Sequence, residues 1–407
     1  MLRQSEKVIL AGLITSATQG PSDNALDELE NLVISAGGAV AEKILQKRRT
    51  RDPAFLIGKG KALEIADIAS RSGSHCVVFD EELSSTQQRN LENLLGTKVI
   101  DRTRLILDVF AKRAKTREGM LQVELAQHSY LLSRLTGRGR EMSQQWGGIG
   151  TRGPGERALE YDRRRIRTRI QHIKNDLDRV RLEREVQRAK RLKEGVAQAA
   201  IVGYTNAGKS SLLNALVASK RSSSAGEPGP AWADERLFAT LDTMTRRVYL
   251  PCGLPILLTD TVGFISKLPT HLVTSFRATL EEIRWADLLI HVSDPACPDE
   301  IRIHRNAEVN KILKSLEVND YPQLQVFSKA DLVPAGSNER LIPGASGLWV
   351  SCKTGEGLDK LLAAIEKRLL ASWGRAEIKI SAHQGHLLAL VYKVSKVLNF
   401  RADGKGG

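Results

Sequence analysis

The segment Gly203-Tyr204-Thr205-Asn206-Ala207-Gly208-Lys209-Ser210 matches the phosphate-binding pattern G-x-x-x-x-G-K-[ST], which predicts an α/β nucleotide-binding domain. An apolar run, Ala199 to Val202, precedes it and a helical run, Ser211 to Val217, follows it, as a strand-to-helix phosphate loop requires. We predict that residues 203 to 211 bind nucleotide phosphates, with Lys209 neutralising charge and Ser210 ligating Mg2+. The alternative, a chance glycine turn, is disfavoured by the flanking strand and helix.

A second phosphate-facing element follows the apolar run Leu257 to Thr259 and reads Asp260-Thr261-Val262-Gly263. A D-x-x-G tetrapeptide alone is more often a simple turn, but here it follows the phosphate loop by about 50 residues on another predicted strand. Asp260 is predicted to hold Mg2+ through water, and the Gly263 N–H to meet the γ-phosphate. We therefore expect the four residues to line the nucleotide, with Lys209 and Gly263 as the catalytic groups.

Base recognition is predicted at Ser328-Lys329-Ala330-Asp331, which follows the strand Gln325 to Phe327. The Asp331 carboxylate can accept from guanine N1–H and its exocyclic amine, whereas adenine presents an acceptor at N1. Ser328 and Lys329 are expected beside the base, and Ser351-Cys352-Lys353 is a weaker pattern whose backbone N–H groups suit the guanine oxygen. The predicted ligands are therefore GTP and GDP.

The sequence defines less sharply which other residues bind Mg2+ and which group orients the attacking water. Thr240 is our first choice for a further Mg2+ ligand, with Thr243 second, because this hydroxyl-rich stretch lies between the two phosphate elements. Phe264 follows Gly263 where many GTPases carry a glutamine that orients water, so another group must supply that function. Asn206 resembles the P-loop asparagine of GTPases that bind a K+ ion, and the competing interpretation is an asparagine that simply stabilises its turn.

Four parts are predicted along the chain, and the overall class is α/β. Alternating strands and helices predict a parallel α/β domain over residues 1–115, and two long helices around Gly137 to Gly155 predict an antiparallel hairpin over 116–195. A P-loop GTPase domain with a mostly parallel sheet is expected over 196–372. A small C-terminal α/β element over 373–407 would contain a strand at Ile378 to Ile380 and a helix from Gly385 to Leu398.

The charge distribution favours a polyanionic partner. The net charge is +14, and residues 156–194 contain fourteen Arg and Lys against eight Asp and Glu. A solvated helix face with internal ion pairs is the competing explanation. Because the neighbouring glycines allow close approach to RNA, we predict RNA contacts by a set of four arginines and one tryptophan: Arg134, Arg138, Arg140, Trp146 and Arg152.

Composition excludes several other classes of protein. Hydrophobic residues make up 42% and charged residues 27%, which is typical of a folded domain. The four cysteines have no paired spacing, which argues against a zinc site or a disulfide framework. No apolar run is long enough for a membrane span, so we expect a cytoplasmic protein. Separately, we expect a monomer in solution.

These motifs, together with Gly147 to Glu156 and Phe238-Ala239-Thr240-Leu241-Asp242, closely resemble the HflX family of ribosome-associated GTPases over essentially the whole chain. The sequence departs from the family pattern at Ser328, where Asn is usual, at Thr243-Met244, where Pro-Thr is usual, and at Glu156-Arg157-Ala158-Leu159, where Glu-Thr-Gln-Leu is usual. The segment between the helix that follows the phosphate loop and Asp260 is also longer than is usual in the family. The C-terminal element is shorter than is usual.

The resemblance implies binding to the large ribosomal subunit and its rRNA, and splitting of stalled or idle ribosomes under stress. It also implies that the glycine-rich loop points toward the peptidyl-transferase region. Two alternatives remain open at this point: a GTPase that assembles or checks large subunits, and a basic RNA-binding protein whose nucleotide site is regulatory and barely hydrolytic.

Overall fold

A computed structural model of the chain describes residues 6–15, 26–142, 154–193, 195–219, 238, 242–267, 269, 282–318, 320–333, 347–371, 373–381 and 383–401. Side chains 136–142, 154–159, 187–193 and 393–394 are outside this description. The chain divides into two compact units. The first extends to Leu182 and includes the later described residues Phe238, Asp242, Ser266, Lys267 and Pro269, and the second contains the other described residues.

A four-stranded parallel sheet forms the base of the first unit. Its strands, in the order β2-β1-β3-β4 across the sheet, are β1 (Lys7–Ile14), β2 (Ala39–Lys47), β3 (Cys76–Phe79) and β4 (Lys98–Asp101). The helices that alternate with them are α1 (Asp27–Ala36), α2 (Lys59–Ser72), α3 (Ser85–Leu95) and α4 (Arg102–Arg113). All three strand pairs are parallel, which confirms the predicted sheet. Every residue of β3 is buried, as expected for a central parallel strand.

Two long helices, α5 (Arg117–Met142) and α6 (Pro154–Lys193), follow the sheet. Arg169 binds both carboxylate oxygens of Glu124 at 2.7 and 2.9 Å, and Arg163 donates to the Leu135 carbonyl at 2.6 Å. The pairs run in opposite directions along the two helices, which confirms the antiparallel hairpin. On α6, Ile173 is fully buried.

The prediction that residues 137–155 form the connecting loop was too broad. Helix α5 continues through Gly137 and Gly139 to Met142, and α6 begins at Pro154. A single glycine inside a helix costs about 1 kcal/mol relative to alanine, which flanking helix-forming residues can offset. Residues 143–153 lie outside the described part of the chain.

Late segments of the sequence complete the first unit. The Asp242 carboxylate accepts from the main-chain N–H groups of Lys115 (2.9 Å) and Thr116 (3.0 Å) and from the Thr116 hydroxyl (2.5 Å), immediately before α5 begins. A Cβ on Gly119 would overlap the Asp242 carboxylate, so the first turn of α5 needs glycine there. The Phe238 ring packs edge-on against Phe110, with ring centroids 4.5 Å apart.

A buried charge network lies beside the same sheet. Arg102, at the start of α4, pairs with Asp80 at 2.6 Å and with Glu28, and it donates to the Ser266 carbonyl at 3.1 Å. Lys267 contacts Asp80 as well. Because burial of an unpaired guanidinium or carboxylate is costly, each of these charges depends on the others.

The second unit contains a six-stranded sheet in the order β10-β9-β8-β5-β7-β6. Its strands are β5 (Gln198–Gly203), β6 (Met244–Tyr249), β7 (Pro255–Asp260), β8 (Leu288–Ser293), β9 (Gln323–Phe327) and β10 (Leu348–Trp349), and its helices are α7 (Lys209–Ser219), α8 (Asp299–Ser315) and α9 (Leu358–Ala371). Only β6 among the described strands is antiparallel to its neighbour. The mostly parallel sheet is thus confirmed, and the carboxyl ends of β5, β7, β9 and β10 share one edge.

Beyond α9, the last described element is the helix α10 (Gly385–Val394). The strand expected at Ile378 to Ile380 is wrong, because the described residues 373–381 contain no strand. Ile378 is exposed and pairs with no described strand, and without such a partner a β-prone tripeptide has no reason to stay extended. Lys396 binds Glu366 of α9 at 2.6 Å. Among the described residues, no helix is long and apolar enough to cross a membrane.

Candidate nucleotide site

The P-loop lies between β5 and α7, and two of its glycines are required by geometry. A Cβ on Gly203 would overlap the carbonyl oxygen of Val292 on the neighbouring strand β8. Gly208 has φ +86°, a left-handed conformation that favours glycine. Asn206 has φ +59°, and asparagine tolerates this region better than most residues. The conformation suits the turn-stabilising role of Asn206, and the K+ role stays a prediction.

Lys209 is buried inside this loop with its ammonium group held in place. Its Nζ donates to the Tyr204 carbonyl at 2.7 Å, and the residue is 6% exposed. Burial lowers the pKa of Lys209 to about 8, and the Asp260 carboxylate opposes that shift. A bound phosphate would compensate the buried positive charge, so the loop is built to receive an anion.

Ser210 and Asp260 come together where the ends of β5 and β7 meet. The Ser210 hydroxyl donates to Asp260 Oδ2 at 2.6 Å, and the Thr261 hydroxyl donates to the Ile201 carbonyl at 2.7 Å. A hydroxyl and a carboxylate are hard oxygen ligands of the kind that Mg2+ prefers, so Ser210 and Asp260 would be able to hold this ion. Elsewhere among the described residues, no group of three or more His, Cys, Asp or Glu could hold a metal ion.

Gly263 and Phe264 contact the P-loop through the main chain. Thr205 N–H donates to the Phe264 carbonyl at 2.7 Å, and Phe264 N–H donates to the Gly203 carbonyl at 3.2 Å. A Cβ on Gly263 would lie 2.9 Å from Thr205 Cα and 3.0 Å from Lys209 Nζ, so the glycine is needed for this close approach. Phe264 is fully buried, consistent with the expectation that it does not orient water.

The base-recognition loop is organised around Asp331. The Ser351 hydroxyl donates to Asp331 Oδ1 at 2.6 Å, and this hydrogen bond is the largest cause of the lowered Asp331 pKa. Lys329 binds Asp294 at 2.6 Å. Ser351 N–H already donates to the Glu356 carbonyl, so Ser351 supports the site through Asp331. The predicted contact to a guanine oxygen would therefore use the main-chain N–H groups of Cys352 and Lys353, which follow Ser351.

The Ser328 hydroxyl, predicted beside the base, contacts two main-chain carbonyls of its own unit. It lies 2.8 Å from the Ala207 carbonyl of the P-loop and 3.1 Å from the Ser293 carbonyl, and the residue is 2% exposed. The side chain therefore joins the base-recognition loop to the P-loop.

Several predicted residues cannot be placed in this arrangement. Thr240 lies outside the described residues, as do Trp146 and Arg152 and the side chains of Arg138 and Arg140. The second choice for Mg2+, Thr243, is described and half-buried. The predictions for all of these residues stay predictions.

Arg134 is described, and its contacts differ from those of an exposed RNA-binding arginine. It pairs with the buried Asp101 at 2.5 Å, donates to the Leu83 carbonyl at 2.8 Å and lies over the Tyr130 ring. These contacts give Arg134 a structural role in the first unit, while its RNA contact remains a prediction.

Two residues of this site were missed by the sequence reasoning. Asp294 directly follows β8 at the carboxyl edge of the sheet, where open α/β sheets bind their ligands, and it binds Lys329. His291 is buried within β8, and burial, followed by the charge of Lys209, lowers its pKa to about 4. His291 is therefore neutral near pH 7, and no local pattern distinguished it from an ordinary core residue.

The phosphate loop, the Ser210–Asp260 pair and the Asp331 loop, all at the carboxyl edge of one parallel sheet, define a P-loop GTPase. Four family models match the chain: GTP-binding GTPase N-terminal over residues 23–111, GTP-binding GTPase Middle Region over 113–191, 50S ribosome-binding GTPase over 198–329, and HflX C-terminal domain over 341–407. The chain belongs to the HflX family of GTPases, and its reaction is the hydrolysis of GTP.

Two curated relatives agree with this assignment over most of their length. The chain is 45% identical to GTPase HflX of Caldanaerobacter subterraneus subsp. tengcongensis over 376 residues, covering 91% of this chain and 82% of the relative. It is 40% identical to GTPase HflX of Escherichia coli (strain K12) over 386 residues, covering 93% and 87%. A GTP-binding protein from Sulfolobus solfataricus, solved in complex with GDP, is similar at 21% identity and a TM-score of 0.44, covering 89% of this chain and 99% of that one.

Proposed function

We propose that this GTPase binds the large ribosomal subunit and uses GTP to split stalled or idle ribosomes under stress. The observation that carries the proposal is the match of residues 198–329 to the 50S ribosome-binding GTPase model. A net charge of +14 and the exposed Arg164 and Arg165 on α6 suit a partner made largely of RNA. The predicted RNA contacts of Arg138, Arg140, Trp146 and Arg152 belong to the same proposal.

The residues of the nucleotide site have distinct tasks in the proposed mechanism. Lys209 holds its ammonium where the β- and γ-phosphates bind, and the main-chain N–H of Gly263 meets the γ-phosphate. Ser210 and Asp260, with Thr240 as a further ligand, would hold Mg2+, which neutralises charge on the phosphates when bound. Asp331 selects guanine over adenine.

The residue that follows Gly263 supplies no side chain that could orient the attacking water. Phe264 is fully buried and has no group that can orient water. We therefore expect slow intrinsic hydrolysis that the large subunit accelerates, with K+ near Asn206 as a candidate supplement. Turnover measured in K+ and in Na+, each with and without large subunits, tests both ideas. Fast turnover in Na+ alone would refute this mechanism.

Splitting is tested by mixing the purified protein and GTP with whole ribosomes and following light scattering. A GTP-dependent fall in scattering is expected, and the same protein with GDP serves as the control. If scattering is unchanged while large subunits still stimulate GTP hydrolysis, the assembly or quality-control function replaces the splitting function. If single-turnover hydrolysis on large subunits is also negligible, the site is regulatory and the protein acts as an RNA-binding factor.

The glycine-rich loop is tested by the triple substitution Arg138→Ala, Arg140→Ala and Arg152→Ala. Loss of these charges should weaken ribosome binding and reduce its salt dependence, because fewer phosphates are neutralised. GDP affinity should not change. A matched control removes the same charge from exposed helix positions of the second unit by Lys314→Ala, Lys360→Ala and Arg368→Ala. Equal ribosome affinity of the triple variant and the control would reject the contact.

A further inference from the structure

Ser328 is held between three segments at the carboxyl edge of the sheet. It directly follows β9, and its main-chain N–H donates to the Ser293 carbonyl at 3.0 Å. Its hydroxyl is closest to the Ala207 carbonyl, at 2.8 Å. A Cβ on Gly208 would lie 3.7 Å from the Ser328 Cβ, so the Ser328 side chain faces this position of the P-loop. Ser328 thus lies against the loop that binds phosphate.

In this geometry the Ser328 hydroxyl donates its proton to a main-chain carbonyl. A serine hydroxyl has one proton to donate, and its two nearest acceptors are the carbonyls of Ala207 and Ser293. The guanine edge outside the Watson–Crick face offers N7 and O6, which are both acceptors. A hydroxyl whose proton is already donated to Ala207 therefore has nothing to give to that edge of the base.

We propose that Ser328 is a positioning residue that fixes the base-recognition loop to the P-loop, and that it makes no hydrogen bond to guanine. The inference rests on guanine nucleotide binding at this site but not on ribosome splitting. Base selectivity is then carried by Asp331, which the Ser351 hydroxyl orients at 2.6 Å. This arrangement separates two tasks: Ser328 sets the distance between base and phosphate loops, and Asp331 reads the base.

The asparagine usual in related GTPases would combine the two tasks. An asparagine amide carries two N–H donors, so one can bind the Ala207 carbonyl while the other remains for the base. Ser328 keeps the first contact and lacks the second. Ser328→Asn should therefore add a base contact to N7, which the natural serine does not make.

The test uses binding of GDP and of 7-deaza-GDP, whose base lacks the N7 acceptor, to the full chain. The unmodified protein should bind the two ligands with the same affinity. Ser328→Asn should bind GDP about tenfold more tightly than 7-deaza-GDP, because a hydrogen bond with a buried acceptor has about that effect. Ser328→Ala should lower the affinity for GDP and for 7-deaza-GDP about equally, by about tenfold, because the Ala207 carbonyl loses its donor. We expect the loss to appear as faster dissociation.

A matched set of controls distinguishes a positioning role of Ser328 from a general disruption of the nucleotide site. Asp331→Ala should abolish the preference for GDP over IDP, which lacks the exocyclic amine, while Ser328→Ala should keep that preference. If Ser328→Ala folds poorly, the comparison of the unmodified protein with Ser328→Asn still decides. A clear preference of the unmodified protein for GDP over 7-deaza-GDP would overturn the proposal, as would unchanged affinity of a folded Ser328→Ala. Failure of ribosome splitting would leave all these results unaffected, whereas absence of GDP binding would reject the site itself.

Discussion

The main-chain carbonyl of Phe264 accepts a hydrogen bond from the Thr205 N–H at 2.7 Å, so the residue after the D-x-x-G motif is bridged to the P-loop. A reciprocal bond runs from Phe264 N–H to the Gly203 carbonyl. Two segments about 60 residues apart in the chain therefore act together, as the phosphate-binding loops of GTPases do. Gly263, which precedes the bridge, is held close to Lys209.

Gly263→Ala should disrupt this arrangement without affecting the rest of the sheet. The new Cβ would lie 2.8 Å from Thr205 Cγ2 and 2.9 Å from Thr205 Cα, so the segment must shift. We expect GTP hydrolysis to fall about tenfold or more, since small displacements of positioned groups are costly. Gly374→Ala, where a Cβ meets nothing within 4 Å, is the control. Equal turnover rates for the two variants would contradict the importance of the bridge.

Nucleotide affinity should depend on pH through Lys209. Its lowered pKa of about 8 means that the ammonium needed for phosphate binding is lost as pH rises through that value. GDP affinity should therefore fall about tenfold between pH 7 and pH 9, with one proton taken up on binding at the upper end. The Lys209→Arg variant should bind GDP more weakly, and its GDP affinity should not fall between pH 7 and pH 9, because a guanidinium does not titrate in this range. Parallel profiles for the two proteins would exclude Lys209 as the cause.

Asp242 should control the first turn of α5. Its carboxylate accepts from the N–H groups of Lys115 and Thr116, which an alanine at position 242 would leave without that acceptor. Asp242→Ala should cost about 1 kcal/mol locally, typical of a lost helix cap, and should speed amide hydrogen exchange at these two residues about fivefold. Asp242→Asn keeps an oxygen acceptor and should show a smaller effect. Unchanged exchange in both variants would show that the cap is not formed in solution.

Arg102 should matter far more to stability than its neighbour Arg104. Arg102 is 4% exposed and pairs with the buried Asp80, whereas Arg104 pairs with Asp108 at 3.3 Å where both side chains are about one-third exposed. Arg102→Ala should lower the free energy of unfolding by about 3 kcal/mol, because it leaves a buried carboxylate with less compensation. Arg104→Ala should cost less than about 1 kcal/mol. Urea unfolding of both variants provides the comparison, and similar midpoints would show the buried network to be dispensable.

Much of the fold could be predicted because its determinants are local. The P-loop is one continuous segment, and β3, from Cys76 to Phe79, is one continuous apolar run. The tripeptide Ile378 to Ile380 has the same local character but finds no partner strand among the described residues. Strand formation there depends on the rest of the molecule, which a short pattern does not report.

The direction of side chains within the site was harder to predict. Asp331 was found because its carboxylate has a chemical reason to be there, whereas its orientation by Ser351 depends on how β9 and β10 pair. The Ser328 contact with Ala207 joins residues 121 positions apart, and no local spacing encodes it. Asp294 was missed because a single aspartate after a strand is common in ordinary turns.

The contact between Asp242 and Thr116 also determines the order in which the chain can finish folding. The ribosome makes Thr116 first, and its capping partner emerges 126 residues later. Lys267, which contacts Asp80 in the same unit, follows later still. A nascent chain that ends at Leu182 therefore has the whole first sheet but lacks these late contacts, and it must persist in a partly completed state until translation passes Lys267.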